Sequence, residues 1–196
     1  VLESDDVIST IKCLKQLGVK IKKIKNGKYI VFGRGLGSFY CKKGTNLNFG
    51  NSGTLARLII GILSTTPNIN VKITGDKSLN KRNMRKLISE MEKFGANFFP
   101  LKKNYLPLNL VSSEIPIGID FKAGVSAQIK SAVILAGLNS YGETNITELK
   151  KSRDHTENIL INNPNILKIK KGKYNSIRIF GKKSFRKVDI SVPGDP

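Results

Sequence analysis

Four segments place small polar or basic residues where helices should start. Asn51-Ser52-Gly53-Thr54 leads straight into Leu55-Ala56-Arg57-Leu58-Ile59-Ile60-Gly61-Ile62-Leu63. A helix start exposes unpaired N–H groups and a partial positive charge, so it attracts anions. Gly53 lacks a side chain and lets a ligand reach the backbone, while Asn51 or Ser52 can cap the helix. Taken alone, an ordinary capped helix is the plainer reading of the segment. In the second segment, Gly75 to Met84, a loop feeds a helix with Arg82 near its first turn. A guanidinium there holds a phosphate or carboxylate through paired hydrogen bonds, although a solvated arginine is the plainer reading. The third segment is Gly124-Val125-Ser126-Ala127-Gln128, with Ser126 as cap and Gln128 as a donor to an anion. The fourth is Ser152-Arg153-Asp154-His155-Thr156-Glu157. There Ser152 caps, and Asp154 and Glu157 complement the positive helix end. Arg153 has no such reason to be there unless an anion faces it. His155, the only histidine, reads as incidental. The set suggests a site for one or two small polyanions. No Ser-His-Asp order, zinc spacing or Walker loop is present. Gly33-Arg34-Gly35-Leu36-Gly37 follows a strand but opens no helix, and reads as a turn.

The elements that must position these residues repeat. A helix over 5–17, closed by Gly18, precedes strands at 19–24 and 29–32 joined by the turn Asn26-Gly27. A second copy starts near Asn80. Met84, Leu87, Ile88, Met91 and Phe94 form a helical stripe ended by Gly95, and strands follow at 96–101 and 108–111. A third copy has a helix over 153–161 and strands at 166–169 and 176–180. The turns at 25–29 and 170–174 look alike. Between the copies lie two helices, 53–63 and 126–138, apolar nearly all round and therefore expected to be buried. Each leads to a β-rich segment, at 69–74 and 144–147. The expected fold is a single α/β domain with buried central helices, peripheral sheets and no internal boundary.

The formal net charge is +20, from 34 Lys and Arg against 14 Asp and Glu. The lysines are spread along the chain. With Ile and Asn they share A/T-rich codons, so they read as solvated faces. A nucleic-acid-binding domain, the alternative of a different class, would cluster its cations and free its aromatics for stacking. Here Tyr29, Phe32 and Phe98 fall within expected strands. No apolar run is long enough to span a bilayer, and the acidic start Glu3-Ser4-Asp5-Asp6 is unlike a signal peptide. A cytoplasmic location is expected. Cys13 and Cys41 make neither a disulfide framework nor a metal cluster. The chain opens on Val1 and closes on Pro193-Gly194-Asp195-Pro196, so a longer chain is expected on both sides.

In this order, the segments resemble the 3-phosphoshikimate 1-carboxyvinyltransferase (EPSP synthase) family nearly end to end. The carriers are Ser4-Asp5-Asp6-Val7, Gly50 to Thr54 with Arg57, and Gly75-Asp76 with Ser78-Leu79 and Arg82-Asn83-Met84. Gly95-Ala96, Ser126 to Ala132, Gly142-Glu143-Thr144, Ser152 to Glu157 and Val192-Pro193-Gly194-Asp195 complete the set. The resemblance implies enolpyruvyl transfer from phosphoenolpyruvate to the 5-hydroxyl of shikimate 3-phosphate, with release of phosphate. It also implies a two-lobed fold, each lobe holding repeated βαβαββ units around buried helices. Residues 1–196 would form one lobe, truncated at both ends.

Carried over residue by residue, Gly53 and Arg82, with Asn51 and Thr54 shaping the loop, match phosphoenolpyruvate-binding positions. Ser126, Ala127, Ser152 and Arg153 match positions that hold shikimate 3-phosphate, and Gln128 touches both substrates. The family's proton-shuttling residues lie outside this chain, so no catalytic acid or base is expected in it, and the fragment alone is expected to be inactive. The implied partners are the two substrates, without metal, cofactor, nucleic acid or membrane, and the implied full-length protein is a monomer. Three departures stand out: Asn83 where the family has Pro, which removes a φ restraint; Asn162-Asn163-Pro164 where a glycine ends the helix; and Ala127 where some members have Ser. UDP-N-acetylglucosamine enolpyruvyl transferase is the nearest alternative, but its reactive-cysteine loop has no counterpart at 77–84.

Overall fold

The computed structural model describes residues 1–185, so the Val192-Pro193-Gly194-Asp195 segment lies outside the described residues. The chain begins with α1 (Asp5–Gln16), β1 (Lys20–Lys25) and β2 (Lys28–Phe32). Next come β3 (Thr45–Asn48), α2 (Gly53–Thr65), β4 (Asn70–Thr74), a short 3-10 turn (Leu79–Lys81), α3 (Arg85–Lys93), β5 (Asn97–Pro100) and β6 (Leu108–Val111). The same succession returns as β7 (Asp120–Ala123), α4 (Ala127–Asn139), β8 (Glu143–Glu148), α5 (His155–Leu160), β9 (Leu167–Lys170) and β10 (Asn175–Phe180).

The two long units share one topology. Their sheets run β3-β4-β6-β5 and β7-β8-β10-β9. In each, the first strand pairs in parallel with the second, and the fourth pairs antiparallel with both the second and the third. This is the βαβαββ unit expected from the family resemblance, in two copies. The α1-β1-β2 segment supplies the last three elements of a third. Its strands form a separate two-stranded antiparallel hairpin.

Local chemistry sets most boundaries. Gly18 (φ 84) ends α1 in the left-handed conformation that glycine adopts without steric cost. The α3 stripe is buried throughout: Met84, Leu87, Ile88, Met91 and Phe94 all belong to the core. The Asn162-Asn163-Pro164 stretch ends α5 in an irregular turn, with the Asn163 N–H on the Leu160 carbonyl and the Ile166 N–H on the Asn163 carbonyl. The two look-alike turns differ. Gly27 (φ 68) closes the β1–β2 hairpin in two residues, whereas Gly172 stays out of the left-handed region in the longer loop before β10. β3 and β7 had no signal in the sequence. β3 contributes only Leu47 to the core, and β7 only Phe121 and Ala123. Each exists because its parallel partner, β4 or β8, is brought alongside by the intervening helix.

α2 and α4 lie side by side and parallel. Gln128 at the start of α4 donates to Thr54 at the start of α2, and Thr65 Oγ1 at the far end donates to the Ala136 carbonyl at 3.2 Å. Midway, a Cβ on Gly61 would sit 2.6 Å from the Ala132 carbonyl oxygen. α4 is buried as expected, and that burial includes Lys130, with none of its surface exposed. Among the described residues, no helix is long and apolar enough to cross a membrane.

Replacing Gly by Ala inside a free helix stabilises it by about 1 kcal/mol. At Gly61 the added methyl pushes α2 off α4, so Gly61→Ala is expected to lose about 1–3 kcal/mol. The readout is a lower urea midpoint at unchanged m-value.

Candidate functional site

The start of α2 is built around a glycine. Ser52, not Asn51, caps it: its Oγ accepts the Leu55 N–H at 3.2 Å. Asn51 Oδ1 instead accepts an Arg82 N–H at 3.0 Å. Arg57, one turn into the helix, donates back to the Gly53 carbonyl at 2.8 Å. A Cβ on Gly53 would lie 2.8 Å from Arg57 Nη1 and closer still to Arg82 Nη1. A side chain here would displace the tips of both guanidiniums from the turn. Burial, and then the charge of Arg82 beside it, push the Arg57 guanidinium below its ordinary pKa. An anion over the turn would relieve that repulsion.

Arg82 arrives from a different element than expected. It ends the 3-10 turn rather than sitting in the first turn of α3, and its N–H is held by the Leu79 carbonyl at 3.0 Å. Asp76 Oδ1 fixes that turn by accepting the Leu79 N–H at 2.7 Å. Asn83 Oδ1 accepts the Arg85 N–H at 2.8 Å. The side chain thus satisfies a donor at the start of α3 that would otherwise be unpaired.

The start of α4 completes a cleft. Ser126 caps it by accepting the Ile129 N–H at 3.4 Å. Gln128 Nε2 donates to Thr54 Oγ1 at 2.8 Å. Ser131, one turn on and on the same face as Gln128, accepts from Thr156 Oγ1 at 2.8 Å. Thr54, Leu58, Ala127, Gln128, Ser131, Arg153, His155 and Thr156 line an opening of about 180 Å³. Among the described residues, Arg57, Arg82 and Arg153 form no ion pair with a carboxylate. Asn51, Gly53, Thr54, Arg82, Ala127, Gln128 and Arg153 therefore gather around two neighbouring helix starts.

Ser152 does not join them as a cap. α5 starts at His155, with Asp154 in the cap position and no side-chain cap bond. The Ser152 N–H and hydroxyl both donate to Glu148 Oε1, at 3.0 and 3.1 Å. Ser152 lines a separate opening of about 270 Å³ with Glu148, Glu157 and Asn175. A buried carboxylate needs donors more than the start of a short helix needs a cap. Glu157 stands in the first turn of α5, as expected, but its carboxylate also serves a buried charge. It is 2 % exposed and pairs with Lys130 Nζ at 2.5 Å, while Glu148 takes the same ammonium at 2.7 Å. Burial opposes ionisation of Glu148, but hydrogen bonds from Lys130, Asn175 and the Ser152 N–H outweigh it and hold its pKa at about 2. The one sequence clue to this triad was a lone lysine in an apolar helix, a charge that must find a partner if buried.

The chain is a βαβαββ lobe that opens two parallel helix starts side by side, with three guanidiniums near them that have no carboxylate partner among the described residues. The family model described as EPSP synthase (3-phosphoshikimate 1-carboxyvinyltransferase) matches residues 1–196. The chain is 37 % identical over 198 residues to a 3-phosphoshikimate 1-carboxyvinyltransferase of Paramagnetospirillum magneticum, covering 100 % of this chain and 44 % of that protein. To the one of Paracoccus denitrificans it is 41 % identical over 160 residues, 81 % of this chain and 36 % of that protein. A solved EPSP synthase from Acinetobacter baumannii is 33 % identical with a TM-score of 0.81, over 93 % of this chain and 40 % of that one. The chain belongs to the EPSP synthase family and corresponds to one lobe of that fold. It spans less than half the length of the curated relatives it matches.

The pH dependence of stability tests the Glu148 environment. Its folded pKa, about 2, lies below the ordinary 4.5. The carboxylate thus contributes stability that is fully present above about pH 4.5 and is lost as pH falls toward 2. Glu148→Gln should lower the plateau and flatten that acid limb in urea titrations across pH 2–6.

Proposed function

We propose that the protein containing this lobe transfers the enolpyruvyl group of phosphoenolpyruvate to the 5-hydroxyl of shikimate 3-phosphate. The hydroxyl oxygen bonds to C2 of the enolpyruvyl group as its O–H bond breaks, the C2–O bond to phosphate breaks, and the phosphate leaves carrying the proton as hydrogen phosphate. The observation that carries this reading is the pair of guanidiniums folded over Gly53 beside the Thr54–Gln128 link. Each substrate bears a phosphate and a carboxylate, so two such ligands side by side need cations and helix starts to offset their repulsion.

Asn51, Gly53, Thr54, Arg82 and Gln128 hold phosphoenolpyruvate in this reading. Ser126, Ala127, Gln128 and Arg153 hold shikimate 3-phosphate, and Ser152 anchors the loop that carries Arg153. No residue of this chain is given the role of proton donor or acceptor. Closure of a second lobe over the cleft excludes water and strengthens these contacts. A cytoplasmic, monomeric full-length protein that needs neither metal nor organic cofactor completes the proposal.

Phosphate release by the full-length protein should require both substrates, and turnover independent of shikimate 3-phosphate overturns the reading. Loss of a charge-assisted hydrogen bond costs about tenfold or more in affinity. Arg82→Ala should therefore raise KM for phosphoenolpyruvate by about that factor while leaving KM for shikimate 3-phosphate within about twofold. Equal losses for both substrates count against the role given to Arg82.

A further inference from the structure

Lys130 is a buried charge that the proposed ligand contacts do not use. It lies two residues after Gln128, about 200° around the helix at 3.6 residues per turn. Gln128 and Ser131 therefore face the cleft while Lys130 points away from it, toward β8 and α5. There its ammonium meets Glu148 Oε1 at 2.7 Å and Glu157 Oε1 at 2.5 Å. The two carboxylates bracket one stretch of chain. Glu148 ends β8 and grips the N–H and hydroxyl of Ser152, while Glu157 stands one turn into α5. Between them lie Arg153, His155 and Thr156, which line the cleft. The other oxygen of Glu157 is buried with no hydrogen-bond partner among the described residues. Its anchorage thus depends on Lys130.

We infer that Lys130 is a positioning residue: one ammonium on α4 clamps both ends of the 148–157 segment and so sets Arg153 at a fixed place relative to Gln128. Its consequence for substrate binding rests on the proposed function above, in which Arg153 holds shikimate 3-phosphate. The clamp itself is a property of the fold. A misplacement of about 1 Å costs as much as a hundredfold in a well-built site, so a charge outside the cleft acts strongly through the loop it holds.

The test uses the full-length protein with Lys130→Met. A triple variant, Lys130→Met with Glu148→Gln and Glu157→Gln, leaves no buried charge unpaired and serves if the single variant does not fold. Two readouts are taken from the folded variant. Amide hydrogen exchange across 149–157 should quicken by about tenfold or more, with α2 unchanged. KM for shikimate 3-phosphate should rise about tenfold, with KM for phosphoenolpyruvate within about twofold. Unchanged exchange in the 149–157 segment, or an equal rise in both KM values, overturns the inference and leaves Lys130 a merely structural residue. If the unmodified protein does not turn over shikimate 3-phosphate, the functional reading fails, and the exchange measurement still decides the clamp.

Discussion

The close parallel contact of α2 and α4 is the constraint on which the rest depends. Gly61 lets the Ala132 carbonyl approach where any side chain would block it. The hydrogen bonds Gln128–Thr54 and Thr65–Ala136 fix the two helices at both ends. Both helices therefore start at the same end of the lobe, and their positive ends add where a ligand would sit. Parallel dipoles repel each other slightly, which is unfavourable for folding and favourable for holding an anion. Each helix occupies the same position in its own βαβαββ unit, so the internal repeat supplies two equivalent starts without any special loop.

Charge is layered around this contact. Arg57 and Arg82 stand at the Gly53 turn and Arg153 in the cleft, all without carboxylate partners among the described residues. Behind α4, one ammonium serves two carboxyl groups enclosed in protein. Buried ion pairs contribute little net stability compared with apolar packing, because desolvation consumes most of the Coulombic gain. Their advantage is directional: an ammonium satisfied by two particular carboxylates admits few other arrangements of the segments that carry them. Glu148 reinforces this by accepting from Lys130, Ser152 and Asn175 at once.

The large positive charge plays a more diffuse part. Several lysines lie over aromatic rings of their own sheets, among them Lys20 over Phe32, Lys23 over Tyr29 and Lys168 over Phe180. Each of these contacts stays within one sheet, and Phe32 keeps 45 % of its surface exposed beside Lys20. Under the proposed function, the dispersed charge would raise the potential that a small polyanion meets on approach, and the arginines at the helix starts would supply directed contacts.

Much of the lobe was legible in the residues alone. The α3 stripe, the strand at 108–111, the cap Ser126, a cap at Asn51 or Ser52, and the three αββ segments follow from periodicity and turn chemistry, because those signals act over a few neighbouring residues. β3 and β7 were not legible, since a four-residue strand with one or two core side chains exists only through its parallel partner. Nor was the fate of Ser152 and Glu157. Local capping rules described both well, yet a buried carboxylate and a buried ammonium from elsewhere in the chain compete for them more strongly. The sequence by itself determined the repeated units, the two apolar helices and the small residues at their starts. Only the tertiary structure decided that Arg57 and Arg82 share one glycine turn, and that Lys130 ties α4 to the loop bearing Arg153. The reason is physical: desolvation makes a charge depend on its partners, and those partners are brought together by packing rather than by proximity in the chain.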